Sequence, residues 1–253
     1  MNEVIVSQDG PVTVIQINRP QKRNAINKVT ADALREAWLA FEADASARVG
    51  VLTGGDDVFC AGADLTDIAS LAQDVDGERG PLGYTRLFIN KPTIAAIAGY
   101  AVAGGLELAC WCDLRIVDET AVFGCFERRF GVPLIDGGTQ RLPYIVGLGR
   151  ALDMILTGRP VDAHEAHAIG LANEVTPRGA HIHRAIELGK MLAEFPQTAM
   201  NNDRRAVYGG LGADIQTGLQ IEARLGMQTL NSGESLDGAL AFVDGIGRGG
   251  KFE

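Results

Sequence analysis

Basic side chains are in short supply. Lysine and arginine number 23 against 32 aspartates and glutamates, a formal net charge of −9. A chain of that sign lacks a general positive field for tracking nucleic acid or an anionic lipid surface, so neither is an expected partner. Any anionic ligand has to be held by a local group of donors. Long apolar runs are missing too. The longest are broken by Gly, Lys or Glu well short of the roughly 20 residues that a membrane crossing takes. The start, MNEVIVSQDG, has no basic region followed by an apolar core, and the expectation is a cytoplasmic chain without a secretory signal. Cysteine is sparse: Cys60, Cys110, Cys112 and Cys125. Cys110 and Cys112 form a C-x-C, neither a zinc nor a thioredoxin spacing, and no second pair completes a site. The four read as buried free thiols in a reducing compartment, and no metal is expected.

Apolar residues are plentiful, 46% of 253, enough to fill one large core or a core with an appendage. VIVSQDGPVTVIQIN, residues 4–18, reads as two strands around an Asp9-Gly10 turn, a hairpin signal. VTADALREAWLAFEADA carries apolar residues at helical spacing. VGVLTGG and TIAAIAG read as buried strands, and LRIVDETAVFGCF supplies two more strand-like runs, with Glu127 at the end of the second. DVDGERGPLGY, residues 74–84, is polar and glycine-rich and predicts a mobile loop. VGLGRALDMILTG stops at Gly158 with Pro160 beyond it, and VDAHEAHAIG opens with Asp162 and Glu165 in capping-box spacing. From about residue 181 helical periodicity dominates until the glycine-rich DGIGRGGKFE. Alternating strands and helices followed by a helical third predict an α/β core, residues 1–195, and a helical C-terminal region, 196–253.

Two segments share one design. VLTGGDDVFCAGADL and TIAAIAGYAVAGGLELA each run from a strand through a turn of small residues into a helix. Glycine and alanine let backbone approach a ligand, and a helix start offers unpaired N–H groups with a partial positive charge. Two such turns face to face can aim two N–H groups at one oxygen, as an oxyanion hole requires, although either turn alone is more often a device for close strand–helix packing. Glu107 lies one helical turn beyond Gly104 among apolar neighbours, a poor pattern for a solvated face. Local sequence favours a surface ion pair for Glu127 with Arg128 or Arg129. Two carboxylates in differently polar surroundings can divide acid and base roles.

Five separated motifs, in order, resemble the enoyl-CoA hydratase/isomerase (crotonase) superfamily: NRPQKRNAIN, FCAGADL, AGYAVAGGLELACWCDLRI, FGVPLIDGGTQRLP and LTGRPVDAHEAHAIGLANEV. The resemblance covers most of residues 4–177. It implies a crotonase-like α/β spiral of ββα units with a helical C-terminal region that builds homotrimers, often paired into hexamers. It implies an acyl-CoA thioester substrate, with coenzyme A as part of that substrate and no separate cofactor. By motif position the oxyanion donors are the N–H groups of Ala63 and Gly104, and the catalytic glutamates are Glu107 and Glu127. Lys22, Arg23, Ala25, Ala61, Asp64 and Leu65 are the implied CoA contacts, with basic side chains toward phosphate. PLIDGG stands where hydratases of this family carry a proline–glycine-rich stretch, which brings Leu134, Ile135 and Asp136 toward the acyl pocket. Asp136 is open to two roles, a third catalytic carboxylate or a buried ion pair with an arginine. The expected activity is hydration of a 2-enoyl-CoA thioester. The alternatives are an enoyl-CoA isomerase on the same scaffold and a non-catalytic acyl-CoA-binding member.

Overall fold

The structure, a computed structural model, describes residues 2–247. The chain divides into two compact units with the break between Leu192 and Ala193.

In the first unit the hairpin forms as expected: β1 (Val4–Asp9) pairs antiparallel with β2 (Val12–Ile17), and Asp9 faces Val12 across the turn. Helix α1 (Lys28–Ala43) starts at Asn27, whose side chain accepts from the Thr30 N–H at 2.8 Å. It buries Leu34, Trp38 and Phe41, spaced four and three residues apart on one face. β3 (Val49–Thr53) lies parallel to β2 and is buried on both faces. A long connection then carries the short α2 (Ile68–Leu71). The FCAGADL segment opens into a 3-10 turn, Leu65–Asp67, that leads into the single turn of α2.

The next stretch repeats one unit. β4 (Thr93–Ile97) and β5 (Tyr100–Val102) lead into α3 (Gly104–Trp111), and β6 (Leu114–Asp118) and β7 (Val122–Gly124) follow. β4 and β6 are parallel neighbours in the larger sheet, and β5 and β7 are parallel neighbours in a smaller one. Each ββα unit thus advances both sheets by one strand. The β3 unit keeps the second strand only as a bridge between Cys60 and Ala101. The remaining elements are α4 (Gly138–Val146), α5 (Leu148–Thr157), β8 (Val161–Asp162), α6 (Ala163–Ala168), β9 (Glu174–Thr176) and α7 (His181–Glu194). The sheets have the orders β1-β2-β3-β4-β6-β9 and β5-β7-β8.

Side-chain alternation divides the core. Ile15, Ile17, Leu52 and Ile97 face α1 and α3, whereas Val12, Val14, Val51 and Ile94 form a second cluster that Ala185 and Ile182 of α7 cover. The second half of the expected mobile loop is a correction. Gly80–Thr85 are buried, and the Tyr84 ring packs 4.7 Å from that of Trp111, which is itself 4.9 Å from Trp38. Aromatic burial outweighs the polar, glycine-rich composition of that segment. Glu127 is a second correction: it sits on a 3-10 helix, Phe126–Phe130, beyond β7 and not at a strand end.

The second unit contains α8 (Gln197–Gly210), α9 (Ile215–Ser232) and α10 (Glu234–Val243). Asn202 of α8 donates to the Leu225 carbonyl and the Thr229 hydroxyl of α9 at 3.2 and 3.0 Å. The Glu234 carboxylate caps α8, accepting from the N–H groups of Thr198 and Ala199 at 2.9 and 3.0 Å. Residues 248–253, the end of the glycine-rich tail, lie outside the described residues. No helix among the described residues is long and apolar enough to cross a membrane.

Candidate active site

Two turns of small residues meet in the first unit. In the first, Ile26 donates to the Gly62 carbonyl at 2.8 Å and accepts from the Asp64 N–H at 2.7 Å. That parallel bridge leaves the intervening Ala63 N–H pointing the other way. In the second, Ala103 adopts φ 53° and ψ −126°, and Gly104 begins α3 with an N–H that has no intrahelical acceptor. The turns are in contact. A Cβ placed on Gly104 would lie 3.2 Å from the Gly62 Cα and 3.5 Å from the Ala63 nitrogen. One on Gly62, whose φ is +95°, would lie 2.8 Å from the Gly104 nitrogen. Only glycine satisfies both the positive φ and this approach at position 62. Ala63 and Gly104 thereby come together in the wall of one cavity.

That cavity has a volume of about 370 Å³. Ala61, Leu65, Leu82, Phe126, Val132 and Ile135 supply much of its apolar lining, and Glu107, Glu127 and Asp136 are its carboxylates. Glu107 is 3% exposed. Its Oε1 accepts from the N–H groups of Asp136 at 2.9 Å and Gly138 at 2.8 Å. Burial nevertheless pushes its carboxyl up to about 8, with the charges of Asp136 and Glu127 adding to the rise and the two N–H bonds opposing it. Gly138 permits this contact, because a Cβ there would lie 2.9 Å from the Glu107 Cγ.

Glu127 is differently made. It is 5% exposed, and neither carboxylate oxygen takes a hydrogen bond from another residue. Burial raises its pKa, against the opposing pull of its own backbone N–H and then of the Arg128 charge. The surface ion pair read from local sequence does not form. Arg128 Nε donates to the Ile155 carbonyl, Arg129 donates to the Gly158 carbonyl, and the Arg129 guanidinium stacks over Phe126 at 4.3 Å. Two acids therefore face one apolar cavity, one clamped by backbone and one unpartnered. Such a pair, beside two free N–H donors, can hold a water and pass protons while anionic charge builds on a bound oxygen.

The other expected residues divide. Ala61 and Leu65 line the cavity with Ala63. Lys22 and Arg23 are exposed, and the Arg23 carbonyl accepts from the Ala61 N–H at 3.1 Å, which joins their loop to the first turn. Ala25 is half-buried on that loop, and its carbonyl accepts from Arg19. The Asp64 carboxylate turns inward, bonded to Thr66 and ion-paired with Arg19 at 3.1 Å, and these hold its pKa down. Leu134 packs into the core, while Val132, Pro133 and Ile135 form the cavity wall. Asp136 is 4% exposed; its Oδ1 accepts from the Leu82 N–H and the Thr85 hydroxyl, while Arg141 donates to its backbone carbonyl. Leu82 and Phe126 were not singled out from sequence. Leu82 is a lone apolar residue beyond a Gly-Pro pair, and Phe126 ends a strand-like run whose pattern gives no sign of a cavity.

Comparison with known proteins gives one consistent result. The profile of the enoyl-CoA hydratase/isomerase family matches residues 7–246. A "Probable enoyl-CoA hydratase" of Rhizobium meliloti is 38% identical over 243 residues, covering 95% of this chain and 94% of the relative. A "Short-chain-enoyl-CoA hydratase" of Clostridium acetobutylicum is 34% identical over 250 residues, covering 96% of this chain and 95% of the relative. Among solved structures, enoyl-CoA hydratase from Mycobacterium tuberculosis H37Rv superposes with a TM-score of 0.91 at 34% identity, covering 96% of both chains. The repeated ββα units and the paired small-residue turns are thus those of the crotonase fold, and the chain belongs to the enoyl-CoA hydratase/isomerase family.

Proposed function

We propose that this chain adds water across the 2,3 double bond of a 2-enoyl-CoA thioester. The observation that carries the reading is the asymmetry of two buried carboxylates in one cavity, Glu107 held by two N–H groups and Glu127 bonded to no other residue. In this reading the thioester carbonyl docks on the N–H groups of Ala63 and Gly104. Water held between the glutamates attacks C3, and negative charge moves through the conjugated system to the carbonyl oxygen. The two N–H dipoles stabilise that enolate, each by a few kcal/mol. One glutamate takes the proton from water and the other delivers a proton to C2, so the pair holds one proton between them before and after turnover. No cofactor enters these steps. The CoA part lies along the Lys22–Ala25 loop and the Ala61–Leu65 turn, with Lys22 and Arg23 toward phosphate. The same reading includes a homotrimer, or a dimer of trimers, built through residues 196–253, where Ile215, Leu230, Leu236 and Val243 are exposed.

The test compares Glu107→Gln, Glu127→Gln and the double variant on 2-enoyl and 3-enoyl thioesters. Each single change should lower hydration by about 100-fold or more. The double should be little worse, because two groups handling one water act as a unit. Binding of a saturated acyl-CoA should survive in all three. A wild type that hydrates nothing, with Glu107→Gln still shifting a 3-enoyl double bond, would replace hydration by isomerisation through Glu127 alone.

A further inference from the structure

Asp136 faces three ways at once. Its N–H donates to Glu107 Oε1 at 2.9 Å. Its Oδ1 accepts from the Leu82 N–H at 3.0 Å and from the Thr85 hydroxyl at 2.5 Å. Its carbonyl accepts from Arg141 at 2.9 Å, and the same guanidinium reaches the Thr85 carbonyl at 2.6 Å. Segment 82–85 is therefore stapled to segment 136–138, the one that grips Glu107. Leu82 extends the link, since a Cβ on Gly104 would lie 2.8 Å from the Leu82 Cδ1. The side chain held through this bond packs on the oxyanion turn itself.

We infer that Asp136 is a positioning residue that locks Glu107 and the Leu82 cover of Gly104 into one unit. The inference rests on the hydratase reading of the cavity for its bearing on turnover. Its carboxylate serves as an acceptor for the wall of the site, with Oδ1 already engaged twice, and not as a third acid or base. A buried donor left without its acceptor is unfavourable, so losing that carboxylate should release Leu82 and Thr85. Slack there reaches the 136–138 backbone through Arg141, and from it Glu107.

Asp136→Asn and Asp136→Ala separate the possibilities. Asparagine keeps the backbone N–H and an Oδ1 acceptor, while the charge goes and the second oxygen gives way to an amide donor. Amide-resolved hydrogen exchange without substrate should find Leu82 and Gly138 as slow in Asp136→Asn as in the wild type. In Asp136→Ala both amides should exchange faster together. With a 2-enoyl-CoA, the asparagine variant should keep kcat within about threefold. The high-pH limb of its rate profile should move down by about half a unit or more, because a like charge beside Glu107 has gone. Alanine should lower kcat by about tenfold or more and raise KM less, since misplacing Glu107 is felt chiefly in the transition state.

Faster exchange at Leu82 alone in Asp136→Ala would break the proposed unit. A loss in Asp136→Asn as deep as in Asp136→Ala would make Asp136 an acid or base in its own right and overturn the proposal. An unmoved pH limb in Asp136→Asn would reduce the residue to a fold contact and also overturn it. Should the wild type hydrate no thioester, the hydratase reading fails while the exchange experiment alone decides whether the unit exists.

Discussion

Burial pushes the Glu107 carboxyl up to about 8 in the folded chain, against an ordinary value of 4.5 that an unfolded chain restores. A raised pKa of this kind means that the folded state binds the proton more tightly. The stabilisation it brings is full below 4.5 and is lost as pH rises through about 8. Glu107→Gln keeps an acceptor for the Asp136 and Gly138 N–H groups and has nothing to ionise. The variant should therefore gain on the wild type across that window, by as much as about 4 kcal/mol at the alkaline end. Urea unfolding at fixed protein concentration, from pH 5 to 9, reads the difference; parallel stability curves would refute it. Ala103 is strained in another way. Its φ of 53° and ψ of −126° suit glycine, and holding alanine there costs about 1–3 kcal/mol. Ala103→Gly relieves that strain and loses about 1 kcal/mol or less to the freer unfolded chain. The urea midpoint should rise, by an amount worth about 1 kcal/mol.

At the scale of elements, the first turn of α4 grips Glu107, and Gly138 is its first residue. Gly138→Ala should push the carboxylate off its two donors, because the new Cβ meets Glu107 Cγ at 2.9 Å. Hydration should fall by about tenfold or more while acyl-CoA binding holds, measured as kcat against a calorimetric Kd. How much of this was legible in the sequence follows from what each element depends on. The hairpin, α1, β3, β4 and α6 were readable because their signals are local: a Asp9-Gly10 turn, apolar residues at helical spacing, Asp162 capping Glu165 at 2.8 Å. Glu165 itself completes no capping box, since its carboxylate goes to Arg159 instead. The seat of Tyr84 between Trp38 and Trp111 was not readable, because the partners lie in distant elements and the segment around it is polar. The same holds for the site. Small-residue turns marked two segments, the family resemblance singled out Ala63 and Gly104 within them, and an apolar setting singled out Glu107. The burial of Glu127 depends on tertiary packing, and adjacent arginines pointed the other way.

For the whole molecule, a net charge of −9 gives a CoA thioester no long-range attraction. In the proposed reading phosphate recognition is local, and the exposed Lys22 and Arg23 lie on the loop that borders the first turn. Lys22→Glu with Arg23→Glu should raise KM for a CoA thioester by about tenfold, equivalent to about 1.4 kcal/mol, and leave the matching pantetheine thioester unaffected. Light scattering at micromolar concentration should find a trimer or twice that mass, and a monomer alone would defeat the proposed assembly. The cysteines carry a different consequence. All four are free and buried, and burial pushes Cys60 and Cys125 up to about 12, Cys110 up to about 11 and Cys112 higher still. Only a thiolate attacks an alkylating reagent, so the intact protein should be inert to iodoacetamide. Each alkylation event then timestamps an opening of the structure. Mass spectra that jump from no adduct to four would mean that the protein opens all at once. Early adducts at Cys60, next to the Ala61–Ala63 wall of the cavity, would mean that this wall breathes while the rest stays shut.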